Sequence, residues 1–302
     1  MTAAPILPSW RPGPSRDRLV AFLDDVATVP IERRFAVFDN DGTLWCERPS
    51  YTQLDFFLTE LHRRAADDPS VGERPELAAV LSGDSQAVAD IGMVRIALAL
   101  AGLFEGLTPE EFSARVAAFM ATATHPTLDR PRRTAVYRPM VELIDELRRR
   151  DFTVAVVTGG GTEFVRAVSH ELYGVAPELV VGTLVGYTRD DGVEGGALRR
   201  TATVIGEANE GAAKVTNIQT QLGRRPILAA GNSAGDREML EWAAAADGPT
   251  LALLVDHDDD EREFAYRSEA GTFVEDEPIT DVATRSGWLT VSMAVDWETV
   301  FP

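Results

Sequence analysis

A single cysteine, Cys46, occurs in the 302 residues. No disulfide can form within the chain, so its stability rests on packing, and a reducing compartment suits it. No apolar run reaches the roughly 18 residues of a membrane-spanning helix. The amino-terminal stretch MTAAPILPSWRPGPSRDR has no apolar core and is broken by prolines, so a signal peptide is not expected. Positive charge is short as well: 29 Lys and Arg stand against 48 Asp and Glu, for a net charge of −19. A surface of that sign repels phosphate backbones and anionic lipid, which argues against nucleic acid and membranes as partners. It leaves room for a small anionic substrate, which answers to the local field of one cleft. The expectation is a cytoplasmic protein, monomeric or homodimeric.

What is present is a globular composition, 45% apolar and 25% charged. At this length the chain can bury a sizeable core, with one large domain and a smaller one expected. The Pro-rich start reads as an extended segment lying across a surface. Leu19, Phe22, Leu23 and Val26 then recur at helical spacing behind Ser15, a candidate cap. RFAVFD follows as a buried strand. Residues 49–134 change character: Ala, Leu and Met dominate and β-branched runs are rare, which predicts helices. Thr108-Pro109-Glu110-Glu111 is a helix start within that block.

After it, strands and helices alternate. RPMVELIDELRRRD reads as a helix. FTVAVVT is a strand ending at Thr158 before three glycines, and TEFVRAVSHELYG a helix closed by Gly174. Short strands with a turn at Asp191-Gly192 come next. GAAKVTNIQTQLG is a helix, RPILAAGN a strand, DREMLEWAAAA a helix and TLALLV a strand. The last stretch, GWLTVSMAVDWETVF, reads as a strand and short helix. This rhythm predicts an α/β fold: a doubly wound, mostly parallel sheet from residues 1–48 and 135–302, with a small all-helical domain at 49–134.

Ligands of open α/β sheets bind at the carboxyl ends of the strands. Four expected strands end there in polar or Gly-rich turns: Asp39-Asn40-Asp41-Gly42-Thr43, Thr158-Gly159-Gly160-Gly161, Gly231-Asn232-Ser233-Ala234-Gly235-Asp236, and Asp256-His257-Asp258. In a parallel sheet Asp39, Asp41, Thr158, Asn232 and Asp236 converge on one edge. Carboxylates with an amide or carbonyl oxygen are the hard ligands that Mg²⁺ prefers. Glycine-rich turns offer N–H groups to phosphate oxygens, and Lys214, opening a helix, adds a positive charge.

DNDGT at Asp39, Thr158 before GGG, Lys214 and GNSAGD ending at Asp236 stand in this order. In that set the sequence resembles the haloacid dehalogenase superfamily, in particular its phosphoserine phosphatase-like branch. The helical block resembles that branch's cap, inserted after the first strand. The resemblance implies a Mg²⁺-dependent phosphatase of a small phosphorylated metabolite. Asp39 is then the nucleophile that becomes phosphoaspartate, and Asp41 the general acid and base. Thr158, Gly159 and Lys214 bind the phosphoryl group. Mg²⁺ is held by Asp39, the Asp41 carbonyl and Asn232 or Asp236. Asn232 departs from the branch, which places an acid there.

Trp45, Glu47 and Arg48, just past the first turn, are candidate substrate contacts. The acidic run around His257 is read as a solvated helix start rather than a second metal site, with His257 a marginal candidate for the site. Arg95 either faces the cleft from the cap or reaches to solvent. Cys46 is read as a small side chain lining a loop. A phosphomutase or other phosphotransferase on the same scaffold stays open. A dehalogenase has no use for the second acid, Asp41, and a non-catalytic binding relative has no need of the full set.

Overall fold

The computed structural model describes residues 6–192, 194–267 and 277–302. Helix α1 (Pro14–Asp25) leads into strand β1 (Phe35–Phe38), whose four residues are all buried. Burial of each large apolar side chain contributes about 2 kcal/mol, which makes this strand the anchor of the sheet. The helical block follows with α2 (Thr52–Asp67), α3 (Pro75–Ser82), α4 (Ser85–Ile91), α5 (Met93–Ala101) and α6 (Pro109–Thr122). Thr108 caps α6 with a reciprocal bond to Glu111, as the local sequence expects.

The alternation then resumes with α7 (Arg138–Arg148), β2 (Thr153–Gly161), α8 (Thr162–Tyr173), β3 (Val180–Asp190) and β4 (Ala197–Ile205). It continues through α9 (Ala212–Leu222), β5 (Leu228–Gly231), α10 (Arg237–Ala244) and β6 (Leu251–Asp256). It closes with α11 (Ile279–Ser286), β7 (Leu289–Ser292) and α12 (Met293–Asp296).

The seven strands form one sheet in the order β4-β3-β2-β1-β5-β6-β7. Every pairing is parallel except β3 with β4. The chain leaves β1 for β2 on one side and later returns to β5 on the other. That reversal opens a crevice beyond the carboxyl ends of β1 and β5, the place where such sheets bind ligands.

Three local expectations are corrected. β2 does not stop at Thr158 but runs on through Gly161, with its register to β3 shifting between Val157 and Gly161. The run after β6 is not a helix start. It folds as a turn closed by a bridge from Asp258 to Ala265, because Asp258 bonds elsewhere. Asp258 accepts from Ala294 N at 2.9 Å and from the Ser292 hydroxyl. The described part of the Pro-rich start is anchored rather than merely extended: Leu7 and Trp10 are buried, and Trp10 bridges Trp297. Its first five residues lie outside the described set.

The helical block is not a separate globule. Phe56 stacks on Phe104 at 4.9 Å and meets Phe164 of α8 at 5.4 Å, so the block's aromatic core joins that of the sheet. Strand β4 clasps it from the side. Arg200 N donates to Leu107 O, Gly106 N to Arg200 O, and the Arg200 guanidinium lies 4.1 Å over Phe112. Among the described residues, no single helix is long and apolar enough to cross a membrane.

Candidate active site

β1 ends where its backbone still pairs with β5: Asp39 N donates to Ala230 O at 2.9 Å. The next residues turn sharply. Gly42 takes φ +77°, and its N–H donates to Trp45 O at 2.9 Å. A methyl at Gly42 would overlap the Asn232 amide, so only glycine fits this turn.

The structure brings Asp39, Asp41, Thr158, Lys214, Asn232 and Asp236 to one sheet edge; Asp41 is partly exposed and the other five are buried. Lys214 is their hub. Its Nζ donates to Asp39 Oδ1 and Asp236 Oδ1, each at 2.6 Å, and to Val157 O at 3.2 Å. Asp236 spends its other oxygen on the N–H groups of Asn232 and Ser233, both at 3.0 Å. Its carboxylate is thereby fully engaged in shaping the turn and seating Lys214. Asn232, in contrast, turns its Oδ1 toward Asp39: Thr43 Oγ1 lies 3.3 Å from both Asn232 Oδ1 and Asp39 Oδ2. Thr158 is buried, and its hydroxyl accepts from Gly160 N at 3.0 Å.

Asp41 accepts from Trp45 Nε1 at 2.8 Å and from Asn40 Nδ2 at 3.3 Å. Tyr173 holds Asn40 in turn, donating to its Oδ1 at 3.0 Å. Burial pushes the Asp41 carboxyl above its ordinary value, against these donors. Asp39 is also raised, first by burial and then by Asp236, while Lys214 opposes both. Burial alone would lower the Lys214 ammonium. Asp236 and Asp39 override it and hold it well above the usual lysine range.

Trp45, Glu47 and Arg48 lie against the turn after β1. Trp45 supports Asp41, and its ring meets Phe164 and Tyr173 edge-on, both at 6.3 Å. Glu47 is buried and accepts from Tyr266 Oη at 2.8 Å and Asn232 Nδ2 at 3.3 Å. The Arg48 guanidinium sits 4.4 Å over the Tyr266 ring. His257 is buried one layer behind, with Nε2 2.8 Å from Gly42 O and Nδ1 3.2 Å from Glu263. Cys46 also faces Glu263, at 2.9 Å, and burial pushes its thiol well above the usual range, so it is no nucleophile. Arg95 stays within the helical block, paired with Glu76.

Two residues at this edge escape a reading of the sequence. Glu210 projects between Gly159 and Gly235, where a methyl on either glycine would overlap its carboxylate. Burial, with help from Asp236, Asp41 and Glu47 and against Lys214, raises it to about 7. Gln53, from the helical block, accepts from Gly161 N at 2.8 Å and so covers the glycine turn. Neither has a motif, but Lys214 carried a signal: it is the only lysine in the chain. A surface depression of about 250 Å³, lined by Arg33, Arg224 and Arg225 among others, lies apart and includes none of these residues.

Among the described residues, no three His, Cys, Asp or Glu side chains group as a metal site. The donors at hand are of mixed kind: Asp39 Oδ2, Asn232 Oδ1 and the main chain at Asp41. They fit a hard cation. Asp39, Asp41, Glu47 and Glu210 are all raised, each first by burial. Lys214 offsets part of this negative charge, and a divalent ion held there would offset more.

Buried acids at the switch point of a doubly wound sheet, with a lysine fixed between two of them, mark an enzyme centre. The model of the haloacid dehalogenase-like hydrolase family matches residues 36–241, and the chain belongs to that family. No curated protein matches it in sequence. A protein of unknown function from Bordetella pertussis Tohama I is similar in structure, with TM-score 0.54 and 18% identity over 86% of this chain and 98% of that one. A probable phosphoserine phosphatase from Vibrio cholerae aligns with TM-score 0.41 and 15% identity, over 76% of this chain and 58% of that one. A phosphoserine phosphatase in a phospho-aspartyl intermediate analogue form aligns with TM-score 0.39 and 19% identity, over 74% and 86%.

Proposed function

We propose that this hydrolase is a Mg²⁺-dependent phosphatase of a small phosphomonoester, acting through a phosphoaspartate on Asp39. The observation that carries the reading is the pairing of Asp39 with Lys214 Nζ at 2.6 Å, with the second acid, Asp41, in the adjoining turn. A dehalogenase expels halide, which needs no proton, so Asp41 favours an oxygen leaving group.

A carboxylate oxygen of Asp39 attacks phosphorus, and the bond from phosphorus to the ester oxygen breaks. Asp41, whose burial favours its acid form, gives its proton to the leaving oxygen. As a carboxylate it then takes a proton from water. That water attacks phosphorus and releases inorganic phosphate and Asp39. Lys214 and Thr158 meet the negative charge of the phosphoryl oxygens with donors already in place. Asp39, the Asp41 carbonyl and Asn232 would hold Mg²⁺, whose contribution is to neutralise charge on the transferring group. Asp236 acts by fixing Lys214 and the turn rather than as a ligand. The helical block serves as a cap, with Gln53 over the glycine turn, and limits the site to compact substrates.

Acid quenching during turnover of a small phosphate ester tests this. Mass spectrometry is expected to find a phosphoryl group on the peptide that holds Asp39. Steady turnover with that peptide unmodified would refute the covalent route.

A further inference from the structure

Asn232 stands at a position where a carboxylate would present the same atom on either side. An amide has one oxygen and one NH₂, so it serves a cation only when turned the right way. Something in this chain must set that orientation.

The geometry points to Glu47 and Tyr266 as the residues that aim the Asn232 amide, with its oxygen toward Asp39 and its NH₂ away. This rests on the metal reading above and adds to it the device that lets an amide do the work of an acid. Glu47 Oε1 receives the hydroxyl of Tyr266 at 2.8 Å and Nδ2 of Asn232 at 3.3 Å. On the opposite side, Asn232 Oδ1 lies 3.3 Å from the Thr43 hydroxyl, which it shares with Asp39 Oδ2. A carboxylate on one flank and a hydroxyl donor on the other leave only one favourable orientation. Gly42 forms the floor, since a methyl there would overlap Nδ2.

Tyr266 is itself fixed. Its ring stacks on His257 at 4.3 Å and 24°, and its other side carries the Arg48 guanidinium at 4.4 Å. His257 contacts Gly42 O, and Glu263 binds its other nitrogen. Glu263 also accepts from Tyr137 Oη at 2.8 Å and Phe264 N at 2.7 Å. The turn after β6 is therefore a strut that reaches both the catalytic turn and, through Glu47, the amide. Glu47 and Tyr266 are positioning residues, not catalytic ones. Groups that orient a metal ligand commonly contribute about 10–100-fold in metal affinity.

The test is a double-mutant comparison read by isothermal titration calorimetry with Mg²⁺ alone, without substrate, on chains shown folded by circular dichroism. Tyr266→Phe removes only a hydroxyl, and Glu47→Gln only a charge. In the wild-type background, Glu47→Gln is expected to weaken Mg²⁺ binding roughly tenfold or more, and Tyr266→Phe several-fold. In an Asn232→Asp background the two carboxylate oxygens are equivalent and orientation no longer matters. There Tyr266→Phe is expected to change nothing, and Glu47→Gln to weaken binding less than in the wild-type background, by only the loss of one negative charge near the cation. In the wild-type background, Tyr266→Phe should leave the KM for a phosphate ester at saturating Mg²⁺ unchanged. Equal losses in both backgrounds, or none in either, overturn the amide assignment alone. A folded wild type that binds no Mg²⁺ overturns the metal reading, and this assignment with it.

Discussion

Lys214 Nζ and Asp39 Oδ1 stand 2.6 Å apart in the interior, and the same ammonium lies 2.6 Å from Asp236. One cation thus pairs with two buried carboxylates. Replacing it leaves both without a partner, and an uncompensated buried charge typically costs about 3–5 kcal/mol. Lys214→Met should lower the stability of the metal-free protein by that order at pH 8. The loss should shrink at pH 5, where Asp39, raised first by burial, can take up a proton. Urea unfolding at the two pH values checks this. An unchanged midpoint at pH 8 would show that the triad contributes little.

In the proposed mechanism Asp41 serves the leaving group in the first step and water in the second. In Asp41→Asn, a p-nitrophenyl ester, whose leaving group needs little protonation, should still phosphorylate Asp39. The second step then lacks its base. Rapid mixing is expected to show a burst of nitrophenolate followed by turnover slowed about 10²–10⁴-fold. Slow release with no burst would mean that Asp41 is needed before the phosphoryl group moves.

Glu210 carries a pH signature. Its carboxyl is raised from 4.5 to about 7, chiefly by burial. A raised acid favours the folded state while protonated. That contribution is complete below about pH 4.5 and is lost as pH rises through about 7. Glu210→Gln keeps the neutral form at every pH. Without metal it should match the wild type near pH 5 and exceed it at pH 8, by roughly 1–3 kcal/mol. Thermal melts across this range decide it. An equal difference at both ends would remove the titration argument.

At Gly42 the backbone and the site make the same demand. Gly42→Ala adds left-handed strain of about 1–2 kcal/mol, and the new methyl displaces the Asn232 amide. A folded protein with a modest drop in melting temperature and a loss of activity of at least tenfold is expected. Full activity would show that the amide can move without consequence.

The sequence was most informative where chemistry and element ends coincide. RFAVFD is apolar up to its last residue, so both the strand and the position of Asp39 at its end are plain. The turn at Asn232 follows the same logic, while β2 runs past Thr158 through its glycines. β4 was not legible: ALRRTATVI alternates weakly, because its buried residue, Arg200, faces an aromatic ring of the helical block rather than an apolar core. The turn after β6 misled for a related reason. Asp258, which would favour a helix start, instead accepts from the backbone at Ala294, a partner that only the fold supplies. Glu210, Gln53 and Tyr266 reach the site from segments without any motif. Glu47 was picked out for its closeness to the catalytic turn, but its contact with Asn232 spans 185 positions.

The most direct test of the account is the hydrolysis of p-nitrophenyl phosphate with and without Mg²⁺, by the wild type and by Asp39→Asn. The account predicts turnover by the wild type only with Mg²⁺ and none by a folded Asp39→Asn. Equal turnover by that variant would contradict it.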